Sequence, residues 1–346
     1  MPIHAPARWW HRIEEGPEAG RIACDLCPRA CVLGPGQRGW CRVREALPDG
    51  SALVTCSGLT SGFSVDPIEK KPLHHFLPGS TVLSFGTTGC NLGCRFCQNH
   101  HMSRARELPT VPGPPEAVAE AAVRAGCASV AFTYNEPTIF AEYAMDVADA
   151  CHARGVRTVA VTNGYIARDA RRDFTSVLDA VNIDLKAFSD AFYRRWCGGT
   201  LAPVMETIEY AVRESRCWVE LTTLLIPGLN DTDSEIEALC AWVAGSLGPD
   251  VPLHFSAFHP SYRMLDRPRT PPSTLHRAAH IARRHGIRYV YTGNIADPEG
   301  QATRCPGTQG RPCGALLVER HGFGARVVGL DGDRCRVCGA RIAGVF

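Results

Sequence analysis

The stretch SFGTTGCNLGCRFCQNHHMSR, residues 84–104, decides how this chain is interpreted. It follows the start of a β-branched run, TVLSFG at 81–86, and it holds three closely spaced cysteines, Cys90, Cys94 and Cys97. Three thiolates can bind three irons of a cubane [4Fe–4S] cluster, which leaves the fourth iron without a protein ligand. Zinc sites usually use C-x2-C pairs and four ligands. The spacing therefore favours a cluster with one open coordination position.

Outward from this loop, short β-branched runs alternate with helix-like segments. The sequence predicts strands at 81–86, 129–134, 157–162, 180–187, 218–226, 252–258 and 287–293. It predicts helices near 114–126, 138–154, 166–177, 202–214, 231–246 and 273–285. Strand–helix alternation with short connections indicates parallel strands joined by right-handed crossovers. We therefore expect an α/β fold, a partial or complete (β/α) TIM-like barrel with its chemistry at the C-terminal ends of the strands.

The domain organisation follows from composition. Residues 1–75 are rich in Gly, Pro and Cys and are expected to form a Cys-rich N-terminal module. Residues 76–296 carry the strand–helix alternation and are expected to form the barrel. Beyond residue 296 the alternation stops, so residues 297–346 are expected to form a Cys-rich, metal-binding tail.

Charge and cysteine content restrict the class of protein. The formal net charge is +2, which gives no reason to expect a nucleic-acid or membrane partner. The sequence shows no secretory signal and no transmembrane run, so a cytoplasmic location is expected. The chain has 17 cysteines. In a reducing compartment, spaced cysteines indicate metal or redox chemistry more than disulfides.

Two further cysteine sets flank the predicted barrel. The N-terminal set is Cys24, Cys27, Cys31 and Cys41, and its spacing is not that of a standard zinc ribbon. A structural zinc ion, an auxiliary [4Fe–4S] cluster and an unliganded, reduced set all remain open.

The C-terminal set is Cys305, Cys313, Cys335 and Cys338, within which CRVCGARIAG at 335–344 is similar to a zinc or rubredoxin knuckle. A zinc clip that stabilises the tail is favoured, with iron as the alternative. The seven residues between Cys305 and Cys313 weaken the case that all four bind one metal. Six cysteines outside the three sets are expected to be small buried hydrophobes: Cys56, Cys127, Cys151, Cys197, Cys217 and Cys240.

The loop at residues 90–97 closely resembles the radical S-adenosylmethionine (SAM) signature C-x3-C-x-aromatic-C, with Phe96 as the aromatic residue. The resemblance implies that SAM chelates the open iron. It also implies that an electron from the cluster cleaves the sulfonium and releases a 5′-deoxyadenosyl radical, which abstracts hydrogen from a substrate. The difficult chemistry then belongs to the cofactor, and the protein supplies binding, orientation and shielding from water.

Linked motifs narrow the resemblance. The chain is similar to the AmmeMemoRadiSam system radical SAM enzymes, which are relatives of pyruvate formate-lyase activating enzymes. The motifs are EKKPLHHFLPGSTVLSFGTTGCNLGCRFCQNHHMSR (69–104), FTYNEPTIFAEY (132–143), TNGY (162–165), AVNIDLKAF (180–188), LTTLLIPGLND (221–231) and YVYTGN (289–294). The match runs from Cys24 onward and covers nearly the whole chain.

This resemblance implies a set of cofactor-binding residues. Glu136 matches the glutamate of a Gly-Gly-Glu-Pro turn that contacts the amino group of SAM, although Tyr134 and Asn135 replace the glycines. A carboxylate there can accept a charge-assisted hydrogen bond from an ammonium group. The other residues implied at the cofactor are Phe96, Asn99, Thr162, Asn163, Asp184, Lys186 and His259. His254 is the weaker histidine candidate, and Tyr291, Asn294 and the loop at Arg263 are candidates to face a substrate.

Three functional hypotheses follow. The first is a radical SAM enzyme that acts on a small-molecule or protein substrate, with flavodoxin or ferredoxin as electron donor. The second is an activating enzyme for a glycyl radical partner, although residues 98–113 are too few for the ferredoxin-like insert that many activases carry. The third is a non-enzymatic iron–sulfur electron carrier. The resemblance also suggests Memo-type and AMMECR-type proteins as partners.

Overall fold

The computed structural model describes residues 3–105, 110–308 and 313–346. The strands are β1 Ile3–Pro6, β2 Trp10–Arg12, β3 Ile22–Cys24, β4 Val32–Leu33, β5 Glu45–Ala46, β6 Leu53–Ser57, β7 Leu59–Thr60, β8 Phe63–Pro67, β9 Thr81–Phe85, β10 Val111–Pro112, β11 Ser129–Phe132, β12 Arg157–Thr162, β13 Ala180–Asp184, β14 Trp218–Leu225, β15 Leu253–Ala257, β16 Val290–Gly293, β17 Thr303–Arg304, β18 Leu316–His321, β19 Gly324–Val327, β20 Leu330–Asp331 and β21 Arg334–Cys335.

Helices fill most of the connections. The α-helices are α1 His100–Ser103, α2 Pro115–Arg124, α3 Ala141–His152, α4 Arg168–Ser176, α5 Asp190–Phe192, α6 Ala202–Arg213, α7 Asp233–Trp242, α8 Pro272–Arg284 and α9 Pro298–Gln301. Short 3₁₀ turns lie at Ile68–Lys70 and Pro137–Phe140, and π-helical turns at Tyr193–Cys197 and Val243–Leu247.

A central sheet of eight strands organises the chain, in the order β16-β15-β14-β13-β12-β11-β9-β8. Seven of these strands, β9 and β11 to β16, are parallel, and β8 is an antiparallel edge strand. Strands β8 and β16 stand at the two edges, so the barrel is open. The partial barrel predicted from sequence is confirmed, and a complete barrel is wrong. Strand β8 comes from the expected N-terminal module, which therefore contributes to the central sheet.

The connecting helices pack on the outside of the sheet through one apolar face. In α2, Pro115 occupies the first turn, where a missing N–H costs nothing. The buried positions of this helix, Val118, Ala119 and Ala122, recur with helical spacing. Small buried residues on α3, such as Ala144 and Ala148, let that helix lie close to the strands. Burial of such faces in one continuous core stabilises the sheet.

The N-terminal end of the barrel is plugged by residues 68–77. Glu220 of β14 is fully buried there and accepts hydrogen bonds from His74 N (3.0 Å), His75 N (2.7 Å) and His254 Nε2 (2.7 Å). Asn182 Nδ2 donates to Pro72 O at 2.8 Å. The plug thus closes the base and leaves the C-terminal ends of the strands as the open side.

The tail completes this base. Val345 pairs with the plug through its backbone, since Leu77 N donates to Val345 O and Val345 N donates to His75 O, each at 2.7 Å. His75 Nδ1 lies 2.6 Å from Ala343 O and His75 Nε2 lies 2.5 Å from Tyr291 Oη. Tyr291 therefore belongs to the base and lies away from the C-terminal ends of the strands.

Small antiparallel sheets form the two flanking regions. In the N-terminal region they are β1-β6-β5 and β2-β3-β4, and in the tail they are β17-β18-β19 and β20-β21. Among the described helices, none has the length and apolar character that crossing a membrane requires.

Candidate functional site

The cysteine loop leaves β9 through two positions that need glycine. A Cβ at Gly86 would lie 2.5 Å from Thr133 O, and a Cβ at Gly89 would lie 2.1 Å from Cys41 O. Gly89 also has φ +89°, which L side chains rarely adopt. The loop is therefore packed tightly between the turn after β11 and the N-terminal region.

Asn135 fastens the loop to the turn after β11. Its Oδ1 accepts from Thr87 N at 2.9 Å, and its Nδ2 donates to Thr87 Oγ1 at 3.0 Å and to Gly89 O at 3.1 Å. Asn99 Nδ2 adds a bond to Tyr134 O at 2.8 Å. The asparagine that replaces a family glycine thus positions the cysteine loop.

Cys90 lies under the end of β12. Asn163 Nδ2 is 3.8 Å from Cys90 Sγ and 2.9 Å from Asn91 Oδ1, and Leu92 N is 3.4 Å from Cys90 Sγ. Burial raises the pKa of the Cys90 thiol well above its ordinary value, and the neighbouring Glu136 and Cys94 add to this rise. The backbone and amide donors are placed to hydrogen-bond a sulfur ligand.

Of the three loop cysteines, Cys94 is the one whose thiol has a lowered pKa. The neighbouring Cys197 thiol and the cation of Lys186 lower the pKa of Cys94 to about 7, against the effect of burial. Burial raises the pKa of Cys197, so Cys197 keeps its proton more readily than Cys94 does. Burial alone would lower the pKa of Lys186, but Asp184, at 2.9 Å, and the thiol of Cys94 raise it well above its ordinary value.

Cys97 and its neighbours complete the loop. Cys97 Sγ lies 3.3 Å from Ser103 Oγ, and burial raises the pKa of this thiol while Ser103 lowers it. Phe96 is buried and packs against Phe192, with ring centroids 5.9 Å apart. The aromatic residue of the motif therefore anchors the loop to α5.

The Glu136 carboxylate links the ends of β11 and β12 through hydrogen bonds. Its Oε1 accepts from Thr138 N at 3.0 Å and from Thr162 Oγ1 at 2.6 Å, and its Oε2 accepts from Asn163 N at 2.8 Å. Burial raises the pKa of this carboxyl, although these donors lower it in part. A carboxylate oxygen can accept two bonds, so Oε2 keeps one acceptor position.

The two histidine candidates lie at opposite ends of the barrel. His254 is buried at the base, where its Nε2 is 2.7 Å from Glu220 Oε2. His259 follows β15 at the C-terminal end and is half-buried. His254 is therefore a structural residue, and His259 is the one on the side of the cysteine loop.

The donor set fits a cubane better than a single ion. Cys94 and Cys97 each raise the pKa of Cys90, so the three sulfur atoms lie close enough to interact electrostatically. Within the described ranges, the C-terminal set is the one in which three or more ligand atoms all lie within 4.8 Å of one another. At least one pair of the three loop sulfurs is therefore more than 4.8 Å apart, which suits thiolates that bind different irons of one cluster.

The four C-terminal cysteines lie close together in space, although they are separated along the sequence. Cys305, Cys313, Cys335 and Cys338 have sulfur atoms all within 4.8 Å of one another, with Cys305 Sγ 3.5 Å from Cys338 Sγ and Cys313 Sγ 3.9 Å from Cys335 Sγ. Tetrahedral zinc with Zn–S bonds of about 2.3 Å spaces its sulfurs by about 3.8 Å. The set thus has the geometry of a single four-thiolate ion site.

Three residues of the site were not predicted from the sequence. Cys197 was expected to be a buried hydrophobe, yet the turn at Tyr193–Cys197 packs on the cysteine loop, where Gly93 N donates to Cys197 O at 2.7 Å. The Cys197 thiol is thereby near enough to Cys94 to lower its pKa. Asn91 and Asn135 were quoted inside motifs without a role. The only sign of a role in the sequence was their position, Asn91 next to Cys90 and Asn135 next to Glu136.

Comparisons with known proteins agree with this geometry. The sequence model of the Radical SAM superfamily matches residues 85–243. An uncharacterized protein of Methanocaldococcus jannaschii is 39% identical over 326 residues, which cover 93% of this chain and 95% of that protein. The pyruvate formate-lyase 1-activating enzyme of Escherichia coli strain K12 is 24% identical over 175 residues, 47% of this chain and 68% of that enzyme.

Among solved structures, a radical SAM methyltransferase from Sphaerobacter thermophilus is similar with a TM-score of 0.50 and 20% sequence identity, over 65% of this chain and 71% of that chain. At this identity the likeness concerns the fold. The family match places the cysteine loop at the start of the matched region, directly after β9. This protein is an enzyme and belongs to the radical SAM superfamily, whose members use a [4Fe–4S] cluster and SAM.

Proposed function

We propose that this enzyme reductively cleaves SAM at a [4Fe–4S] cluster held by Cys90, Cys94 and Cys97. When bound, the cluster supplies the electron that converts SAM into methionine and a 5′-deoxyadenosyl radical, which abstracts hydrogen from a substrate. The observation that carries the proposal is the loop after β9, where three cysteines without a fourth cysteine in the motif follow the first parallel strand.

The chain's own residues have distinct roles in this proposal. Glu136 uses its remaining Oε2 position to accept a hydrogen bond from the SAM ammonium group. Asn163 and Thr162 fix Glu136, while Lys186, Asp184 and His259 lie at strand ends on the same side of the barrel. Phe96 and Asn99 hold the loop in place. Lys186 also supplies a cation beside Cys94, which balances the negative charge of a thiolate-bound cluster.

The substrate is proposed to bind in the barrel interior, between the plug and the cysteine loop. Asn182 and Thr222 are buried on neighbouring strands, and Asn182 Oδ1, Thr222 Oγ1 and His74 Nδ1 have no hydrogen-bond partner within the described ranges. Buried polar atoms are costly when unpaired. A small polar substrate, or ordered water in its absence, would satisfy them.

The test is SAM-dependent formation of 5′-deoxyadenosine. The enzyme is reconstituted anaerobically with iron and sulfide and mixed with SAM and dithionite. Product is expected from the wild type and absent from Cys94→Ala, whereas the matched variant Cys151→Ala, which removes a buried thiol on α3, should remain active. Wild-type protein that contains the cluster yet releases no 5′-deoxyadenosine would overturn the proposal.

A second candidate is an activase that places a glycyl radical on a partner enzyme. The similarity to the Escherichia coli activating enzyme favours it. The short connection between α1 and β10 gives no room for a ferredoxin-like insert. Electron paramagnetic resonance (EPR) of a mixture with a glycyl radical protein distinguishes the candidates, because only an activase gives a protein-centred radical.

We also propose a subgroup and partners. The motifs from residue 69 to residue 294 support membership of the AmmeMemoRadiSam system radical SAM enzymes, and hence association with Memo-type and AMMECR-type proteins. Size-exclusion chromatography of the enzyme mixed with each purified protein tests this. The C-terminal cysteines are proposed to bind zinc, which elemental analysis of the purified enzyme tests.

A further inference from the structure

The four N-terminal cysteines surround one pocket. It is lined by Cys24, Cys27, Cys31 and Cys41 together with Arg44 and Asn91. A Cβ at Gly39 would lie 3.7 Å from Cys31 Sγ and 3.8 Å from Cys41 Sγ. Glycine therefore keeps open the space between two of the sulfurs.

The N-terminal sulfurs are less tightly grouped than those of the tail. Within the described residues, three or more ligand atoms that all lie within 4.8 Å of one another occur in the C-terminal set, so no three N-terminal sulfurs are this close. The N-terminal sulfurs nevertheless line a common pocket. A single zinc ion would draw its four sulfurs to about 3.8 Å from one another. The wider grouping suits the thiolates around a cluster of several irons.

Four thiolates leave no iron open in a cubane. A cluster with four protein ligands cannot bind a small molecule through iron without losing a ligand, so electron transfer is the chemistry left to it. Arg44, which is almost fully buried, lines the pocket and is paired with Glu142 at 2.8 Å.

The pocket adjoins the cysteine loop directly. Asn91 lines the pocket and follows Cys90, so the two Cα atoms are about 3.8 Å apart. Gly89, which precedes Cys90, packs against Cys41 O so closely that no Cβ fits. Asn91 Oδ1 also accepts from the Asn163 amide that lies beside Cys90 Sγ. One residue thus connects the two cysteine sets.

A basic face covers the outer side of this junction. Trp40 is 49% exposed, with the guanidinium of Arg29 at 4.2 Å and that of Arg104 at 5.4 Å from its ring centre. Arg29 donates to Asn91 O and Gly198 O, and Arg104 donates to Leu92 O. Within residues 3–105, 110–308 and 313–346, these cations are bonded to carbonyl groups and not to carboxylates, so their charge is left to attract an acidic surface.

We propose that Cys24, Cys27, Cys31 and Cys41 bind a second, fully ligated [4Fe–4S] cluster, which passes electrons from an acidic one-electron carrier protein, docked at Trp40, to the cluster of Cys90, Cys94 and Cys97. The carrier loses one electron, the second cluster gains it and then gives it to the first, and no bond or proton changes at the relay. The proposal rests on the proposed SAM cleavage, which consumes that electron.

Metal analysis tests the site. Anaerobically reconstituted wild type should contain about eight irons per chain, and Cys27→Ser and Cys94→Ala should each contain about four, as two independent cubanes require. Cys151→Ser is the matched control and should contain the wild-type amount. The reduced Cys94→Ala variant should show the EPR signal of the second cluster. Cys94→Ala with two zinc ions per chain and no iron, one zinc ion more than the C-terminal cysteines are proposed to bind, would overturn the site.

The relay is tested by changing the reductant. With titanium(III) citrate, Cys27→Ser should still form 5′-deoxyadenosine, whereas with reduced flavodoxin its rate should fall to background. If wild type is inactive with both reductants, the proposed function fails. If Cys27→Ser keeps the wild-type rate with flavodoxin, the relay fails while the proposed function stands.

A surface variant keeps the proposal testable if Cys27→Ser does not fold. Arg42 is exposed beside Cys41 and donates to Arg104 O. Arg42→Glu should slow the flavodoxin-driven reaction by about tenfold at low ionic strength, with little difference at high salt. The control is Arg216→Glu, an exposed residue just before β14 at the opposite end of the barrel. Equal rates for the two variants would overturn docking at this face.

Discussion

Asn163 donates one amide to Asn91 Oδ1 at 2.9 Å, and the same nitrogen lies 3.8 Å from Cys90 Sγ. Asn163 Oδ1 meanwhile accepts from Tyr165 N at 2.8 Å, which fixes the orientation of the amide. The end of β12 is thereby joined to the cysteine loop. A hydrogen bond to a cluster sulfur stabilises the reduced state, because reduction adds negative charge to the sulfur.

Asn163→Ala should therefore make the cluster harder to reduce. We expect a more negative reduction potential and a loss of about 10–100-fold in the rate of 5′-deoxyadenosine formation, as for other residues that orient metal ligands. The measurement is an EPR-monitored potential titration together with the rate. Iron content should stay unchanged, and a variant with wild-type potential would contradict the assigned role of Asn163.

Cys197 offers a second test of cluster tuning. The thiol of Cys197 lies near Cys94 and lowers the pKa of Cys94, so Cys197→Ala should shift the cluster potential to more negative values by on the order of 50 mV. Cys197→Ser keeps a donor and should restore most of the shift. Cys240→Ala, in the core on α7, is the matched control. Equal potentials in the alanine and serine variants would show that the donor has no effect.

Removal of the tail metal should loosen the base of the barrel. Zinc binding to small cysteine sites is worth on the order of 10 kcal/mol, which exceeds the stability that a tail of this size has alone. Cys338→Ser, at the exposed member of the set, should lose one zinc ion per chain and lose hydrogen-exchange protection at residues 316–345. Retained protection with no metal present would show that the tail folds without it.

Acidification should destabilise the same base through His75. Burial lowers the pKa of His75 to about 4, although Glu220 opposes this, so the folded protein holds the ring neutral while the unfolded chain takes up a proton near pH 6.5. Stability is then complete above pH 6.5 and is lost as the pH falls toward 4. At pH 5 the loss from this residue is about 2 kcal/mol.

His75→Gln tests this by thermal unfolding at pH 7 and pH 5. The variant should be less stable than wild type at pH 7, because Gln does not refill the buried site, but its melting temperature should fall less between the two pH values. His321→Gln, at an exposed strand end, is the control and should follow wild type. A variant with the full wild-type pH dependence would exclude His75 as the sensor.

The sequence could predict the parts of the fold that depend on local pattern. Each parallel strand of the central sheet and each main helix lies within a few residues of its predicted bounds, because short apolar runs and the helical spacing of small residues are local signals. The cysteine loop was recognisable for the same reason, since its ligands lie within eight residues.

Long-range pairing could not be predicted. The plug at 68–77 was assigned partly to an irregular module, yet its His75 pairs with Tyr291 and Ala343. Cys197 looked isolated in sequence, but a turn after α5 brings it to Cys94. In each case the partner lies far along the chain, where composition and periodicity give no information.

The contact between His75 and Ala343 spans 268 residues. Closing a chain segment of that length costs about 3 kcal/mol more than closing one of ten residues. The parallel strands pair with partners that are much nearer in sequence, so they should assemble before the base of the barrel does. On warming, this base should also separate first. Water would then reach the barrel interior from the N-terminal ends of the strands while the strands are still paired.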